Sequence, residues 1–392
     1  MKTVFAGLPF YDTLEKTDLQ RTRSRVPFHC PRFQLPPFLI NAQSDTPGAV
    51  TRVDLMDCAE NLTDITTYFV AVPALFTTTT DDYFQYKGVV LKQKLPTGQY
   101  RVKITTANGY VYYSENLVIS DIYPNLIASW SNQGAPLAYD TLTTSGTTIS
   151  SAITDGSDYS YARSSIFTNV RKGEQIVIRF NHTQNSGTVP FTYLIDYAIG
   201  ITAKSNTANI AAGVNTITLT ATAAMAQCQV VIGNTAAAAN WTTSEIFVYR
   251  PYSSRFLKLQ FSNTNDLGDI LYQDGWFQTL WLETRLNFPL SETVEIGEER
   301  DGVFIPEKIV TKYIYRISTY ISRALHRVLM RLPQHDSITI TDEVGNNYTP
   351  AVGNLNILQM DWTHFETGHM IIGFNDGANT AFDWTYDMAD LT

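Results

Sequence analysis

The stretch from 126 to 250 most constrains what this chain can fold into. It carries only six acidic and six basic side chains among long runs of Thr, Ser, Asn and Ala. Ala212-Gly213-Val214-Asn215 precedes the alternating run Thr216-Ile217-Thr218-Leu219-Thr220, and the block closes on Trp241 and Ile246-Phe247-Val248-Tyr249. Alternation at a period of two buries one face of a strand and wets the other. Such a block builds a β-sandwich recognition module more readily than a catalytic domain.

A length of 392 residues suggests two or three domains. The apolar fraction of 44% is ample for cores, and the 22 Tyr and 20 Phe suit half-buried pleated surfaces. The expected class is therefore mainly β. The net charge of −9 argues against nucleic-acid binding, which needs a basic face. All of that excess lies after residue 250, because the preceding segments balance. Three cysteines, Cys30, Cys58 and Cys228, are too sparse for a disulfide framework and fit synthesis in a reducing cytoplasm. The apolar start is short for a signal peptide, and no stretch approaches the ~20 apolar residues of a membrane span.

Four segments follow from patterning. Residues 1–34, with Arg21, Arg23, Arg25 and Arg32 among Pro27 and Pro31, read as an arm that is disordered or clasps a neighbouring subunit. Residues 35–120 read as an immunoglobulin-like sandwich with strands at 38–40, 49–55, 68–72, 89–91, 100–104 and 110–115. Asn108-Gly109 marks a hairpin, because both central residues tolerate φ > 0. Residues 121–253 read as a second sandwich, set as an insertion between its flanks. Residues 254–392 read as an α+β assembly domain. Its hairpin is expected at Asp301-Gly302, and one prominent helix from an N-cap at Ser318 to Pro333. In that helix Ile321, Ala324, Leu325, Val328, Leu329 and Leu332 share a face. Arg323, Arg327 and Arg331 line another, which is a solvated face or a subunit contact.

Catalytic and cofactor motifs are absent from the sequence: no phosphate loop, no dinucleotide glycine motif, no nucleophile elbow and no Cys-x-x-Cys. The chain is expected to be non-enzymatic and without cofactors. His364, Glu366 and His369 are the candidates for a divalent metal, with ordinary polar residues on a half-exposed strand as the preferred reading. Candidate ligand-contact aromatics are Tyr159, Tyr161, Tyr193 and Trp241, since flat rings with polar neighbours stack on sugars, though each ring equally suits a core.

In the middle block, Lys172-Gly173 before one long strand and Gly213-Val214-Asn215 before another resemble the jelly rolls of carbohydrate-binding modules. Outside it, Gly98 to Glu115 (GQYRVKITTANGYVYYSE), Phe261 to Gly275 (FSNTNDLGDILYQDG) and Ser337 to Pro350 (SITITDEVGNNYTP) resemble tail-module virion structural proteins of phages infecting Bacteroidota. That resemblance implies a tail or baseplate subunit, made in the host cytoplasm and located in the virion. Its partners would be copies of itself and other virion proteins, with a host surface glycan as a further partner. A cell-surface glycan-binding protein, and a head or fibre-attachment decoration protein, are the alternatives.

Overall fold

The computed structural model describes residues 8–12, 28–36, 38–41, 49–70, 76–77, 83–86, 89–132, 141–153, 161–200, 202–234, 238–265, 272, 277–286, 290–300, 302–322, 325, 328–329, 331–349, 367–375 and 386–387. They are mainly β and divide into two compact units. One is Tyr123–Pro251; the other joins Met1–Ile122 to Tyr252–Thr392.

Tyr123–Pro251 is a β-sandwich of two six-stranded sheets. One runs Trp130–Asn132, Tyr161–Ser164, Met225–Gly233, Phe191–Asp196, Ala208–Asn209, with Phe167–Val170 also on Met225–Gly233. The other runs Thr141–Ser145, Thr148–Ile153, Ala239–Thr243, Gln175–Gly187, Gly213–Thr220, with Phe247–Tyr249 also on Gln175–Gly187. Ala162, Leu194, Val230 and Ile232 of the first sheet meet Ile149, Ile176, Ile178, Phe180 and Leu219 of the second in one core. The alternation of 216–220 does what its period demands: Leu219 is buried, while Thr218 and Thr220 face water.

In the other unit a fourteen-stranded sheet draws on both halves of the chain. Its order is Asn347–Tyr348, Ser337–Thr341, Leu257–Ser262, Gln278–Leu282, Phe28–Pro31, Leu117–Ser120, Gly98–Thr106, Val111–Ser114, Leu8–Asp12, Phe38–Asn41, Tyr83–Tyr86, Phe76–Thr77. Val50–Met56 lines Gly98–Thr106 as well and carries Leu62–Asp64. Two expectations change here. Leu8–Asp12 and Phe28–Pro31, placed in an arm by sequence, are strands within this sheet. And 35–120 pairs with later chain through Phe28–Pro31, where His29 faces Trp281, instead of closing a sandwich by itself. Of the strand expected at 68–72, Tyr68 ends the 3-10 turn Thr66–Tyr68, Phe69 bridges Leu91, and 71–72 lie outside the described residues.

The prominent helix is corrected too. Val303–Ser322 is a twenty-residue strand, so Ser318 and Ile321 lie in a ladder, opposite Ile371 and Gly368. Ile317, Thr319 and Ile321 are β-branched and alternate, which favours strand where a helical count also fitted. Helical backbone among the described residues of this region is limited to Leu325, Val328 and Leu329 and the 3-10 turn Leu332–Gln334, with their apolar side chains buried. The hairpin expected at this point does form, joining Leu290–Arg300 to Val303–Ser322 with Arg300 opposite Val303 and Gly302 in the turn.

One device recurs where ladders break. Lys103 faces Tyr113 and Tyr100 faces Leu117, so two residues of one strand oppose Ser114, Glu115 and Asn116 of its partner. This is a β-bulge. The Ser114 hydroxyl accepts the Val102 N–H at 2.8 Å and donates to the Glu115 carbonyl at 2.8 Å. Ser164-Ser165-Ile166 repeats it: Ser164 Oγ takes the Val230 N–H at 3.0 Å and donates to the Ser165 carbonyl at 2.9 Å. Ser244-Glu245-Ile246 does the same for the Asn181 N–H at 2.9 Å and the Glu245 carbonyl at 3.3 Å. In each, a hydroxyl replaces the carbonyl that the register shift carries away.

A second device is a three-residue hairpin loop used twice. Asp57 Oδ1 accepts the N–H groups of Ala59 and Asn61, both at 2.8 Å, while Asn61 Nδ2 donates to Oδ2 at 2.9 Å. Asp342 Oδ1 accepts those of Val344 at 3.0 Å and Asn346 at 2.8 Å, and Asn346 Nδ2 donates to Oδ2 at 2.8 Å. The last residue of both loops is left-handed: Glu60 at φ 64° and Gly345 at φ 89°. At Gly345 a Cβ would also lie 2.5 Å from the Tyr252 ring, so only glycine fits.

Near Ser337–Thr341, His335 is buried with Tyr272 and Gln278. His335 Nδ1 donates to the Arg331 carbonyl at 2.8 Å, which leaves Nε2 to accept the Tyr272 hydroxyl at 2.5 Å. Gln278 Nε2 donates to the same hydroxyl oxygen at 2.6 Å. Burial pushes the His335 pKa below its ordinary value, against the pull of the Arg331 and Leu332 carbonyls and Asp336.

Two outcomes are expected. Ser164→Ala orphans the buried Val230 N–H and costs about 1–3 kcal/mol, read as a lower urea midpoint. The neutral His335 gives stability that is fully present above the ordinary histidine pKa and is lost as pH falls through its lowered folded value. His29 and His182, also lowered by burial, act in the same direction. The urea midpoint should therefore fall between about pH 7 and pH 5, a range centred near the unperturbed histidine value.

Candidate functional site

The outer face of the first sheet in Tyr123–Pro251 gathers aromatic side chains by register. Gly233 is paired with Tyr161 on one side and Phe191 on the other; Val231 is paired with Arg163 and Tyr193. Paired residues of antiparallel strands point the same way, and positions two apart share a face. Ala162, Ile232, Val230 and Leu194 point into the core. Tyr161, Arg163, Phe191, Tyr193, Val231 and Gly233 therefore lie together on the opposite side.

The Phe191 and Tyr193 rings are stacked, with centroids 5.8 Å apart and planes 13° apart. Across the row, the Arg163 guanidinium lies over the Tyr161 ring at 5.3 Å. Two strand spacings, roughly 10 Å, separate the Tyr161 and Phe191 backbones. Gly233 between them contributes no side chain to that gap. All four large side chains are partly exposed.

Beside them Gln229 shares the face, opposite Ile195. It is 7% exposed; its Nε2 donates to the Ser164 carbonyl at 2.7 Å, while Oε1 has no hydrogen-bond partner among the described residues. Arg163 Nε is likewise buried without a hydrogen-bond partner among the described residues. Burial raises the Tyr193 pKa, Tyr161 adds to that, and Arg163 opposes it. Tyr193 thus keeps its proton at neutral pH and can donate. Rings that offer flat apolar faces, with phenol, guanidinium and amide groups at their edges, suit a ligand with a ring face and hydroxyls.

Of the aromatics singled out by sequence, Tyr161 and Tyr193 are brought together on this face. Trp241 is corrected to a core residue, being 0% exposed. Its indole N–H donates to Asn234 Oδ1 at 2.8 Å, and Asn234 Nδ2 donates to Ser151 Oγ at 3.0 Å. Tyr159, Arg21, Arg23, Arg25, Arg323, Arg327, His364 and Glu366 lie outside the described residues. His369 sits in Thr367–Asn375, facing Tyr320 and Asp387. Arg331 is in a turn, where its carbonyl orients His335. Sequence reasoning missed Phe191, Arg163, Gln229 and Gly233. The alternation Phe191-Thr192-Tyr193 was a signal for the first; the others need the register.

No group of three or more His, Cys, Asp or Glu spaced for a metal ion occurs among the described residues. All three cysteines are free. Cys30 and Cys228 are buried thiols with raised pKa, Cys228 to about 12. No helix among the described residues is long and apolar enough to cross a membrane, which leaves β-barrels unaddressed.

No protein-family model matches the chain, and no curated protein matches it. Among solved structures, the secreted serine protease VesC from Vibrio cholerae aligns at 10% identity, covering 61% of this chain and 54% of that one, with a TM-score of 0.20. The SGBP-B protein of the Bacteroides ovatus mixed-linkage glucan utilization locus, solved with a mixed-linkage heptasaccharide, aligns at 11% identity, covering 55% and 73%, with a TM-score of 0.15. At such TM-scores neither likeness carries an argument about fold or function.

The core assignment of Trp241 has a direct check. Trp241→Phe keeps most of the buried area but leaves Asn234 Oδ1 without its donor, costing about 1–3 kcal/mol in urea unfolding of the full chain. Tyr161→Ser on the outer face should stay within about 1 kcal/mol.

Proposed function

We propose that the chain is a non-enzymatic structural subunit of a phage virion, located in the tail or baseplate. It assembles through repeated interfaces with copies of itself and other virion proteins. The observation that carries this reading is the continuity of one sheet across 123–251: Leu117–Ser120 before the interruption and Leu257–Ser262 after it belong to the same fourteen strands. The stretches that resemble tail-module proteins lie in this interrupted unit. Gly98 to Glu115 supplies its most connected ladder, Phe261 closes Leu257–Ser262, and Ser337–Thr341 with Asn347–Tyr348 forms its end hairpin. In this reading 123–251 is a jelly-roll-like sandwich displayed from a scaffold whose 50–120 ladder is immunoglobulin-like.

The twenty-residue strand Val303–Ser322 supports a role in assembly. Globular strands usually run five or six residues, and this one spans roughly 66 Å at full extension. Paired with Leu290–Arg300 on one edge and Thr367–Asn375 on the other, it makes a long ribbon suited to reaching a neighbouring subunit.

A second reading, a cell-surface glycan-binding protein, is favoured by the Tyr161–Phe191–Tyr193 face. The two separate on electron micrographs of purified phage particles labelled with gold-tagged antibody to this protein. Label along the tail or baseplate is the expected result. Label on the capsid moves the protein to head or fibre-attachment decoration. Particles that carry no label overturn the virion reading and leave the glycan-binding one.

A further inference from the structure

We infer that the outer face of Tyr161–Ser164, Met225–Gly233 and Phe191–Asp196 binds a carboxylated pyranose, a hexuronate within an acidic glycan. The inference takes from the second reading above only that the ligand is a sugar; it does not depend on the virion reading. Its starting point is the charge on this face. Arg163 is the one charged side chain among Tyr161, Arg163, Phe191, Tyr193, Val231, Gly233, Gln229 and Ile195. Among the described residues no carboxylate forms an ion pair with it, and its Nε is buried without a hydrogen-bond partner. The other guanidiniums whose ion pairs are described are held by acids: Arg32 by Asp121, Arg52 by Asp54, Arg250 by Glu174 and Arg255 by Glu283.

Arg163 is partly exposed, and a planar guanidinium matches a carboxylate through two parallel hydrogen bonds. Seated over the Tyr161 ring, Arg163 is held in orientation. The parallel Phe191 and Tyr193 rings stand two strands away, where they can take the apolar face of the same sugar or the next. Gly233 adds no side chain between them and Tyr161. A neutral sugar would use the rings and leave the Arg163 charge unused; an anion without a ring would use Arg163 and leave the aromatic faces idle. A uronate uses both.

The test is titration calorimetry of the full chain with oligogalacturonate and with the same oligomer fully methyl-esterified, which keeps the ring and removes the charge. The acid form should bind at least about tenfold more tightly than the ester, a difference of about 1.4 kcal/mol. It should also weaken with added salt. Arg163→Gln should bring the acid down to the affinity of the ester, and Arg163→Lys should recover part of it. Tyr193→Ala should weaken both forms. Circular dichroism and urea midpoints matching the unaltered chain show that each variant is folded. Equal affinity for acid and ester, undiminished binding by folded Arg163→Gln, or no binding of the acid oligomer overturns the inference. None of these results bears on whether gold label marks the particle.

Discussion

Every backbone N–H that leaves water in a β protein needs an acceptor, and this chain meets that demand with serine where its strands change ladders. Ser114, Ser164 and Ser244 each sit where two residues oppose three, and each hydroxyl both accepts the stranded N–H and donates to the next carbonyl. Ser205 performs the same exchange for the Leu194 N–H. Because the bulge shifts register by one residue, it lets one chain serve two ladders while keeping apolar residues inward on both sides. Gly98–Thr106 can thus meet Leu117–Ser120 at one end and Val111–Ser114 at the other. An abundance of Ser and Thr, which by itself suggests only low charge, is in part the joinery of this architecture.

Much of the β character was legible because its signals are local. Asn108-Gly109 gave a hairpin, and a hairpin also forms at Gly302, since a left-handed glycine closes each turn, at φ 82° and φ 75°. The alternation of Thr216–Thr220 returned a strand. The helix expected at 318–332 shows where local signals conflict. Apolar residues there satisfy both a helical spacing and an alternating one up to Ile321, and pairing with Thr367–Asn375, about fifty residues on, decides for strand as far as Ser322, while Leu325, Val328 and Leu329 are helical. Two strands within the segment expected as an arm depend on distance in the same way: Leu8–Asp12 and Phe28–Pro31 are too short to announce themselves, and only distant partners make them strands.

The candidate site was half legible. Tyr161 and Tyr193 could be named from sequence as aromatics in a polar block, but their shared face is created by Met225–Gly233 running between them. Trp241 had the same chemical signature and went the other way. Its indole N–H found Asn234, a partner seven residues earlier that nothing in the sequence marks as adjacent. For rings, hydropathy gives no direction; the register gives it.

The pairing of His29 with Trp281 has a consequence for how the molecule is made. A ribosome releases Phe28–Pro31 early, but the strand on its far side, Gln278–Leu282, emerges only after the whole of 123–251 has been synthesised. The intervening sandwich draws all its strands from its own segment and can close first. Meanwhile the N-terminal ladder stands with an open edge, the state in which β-strands pair with the wrong chain. Dense expression of this protein therefore puts its nascent first third at risk of cross-pairing between neighbouring chains, and slower elongation or a chaperone held near that edge would raise the yield of folded subunits.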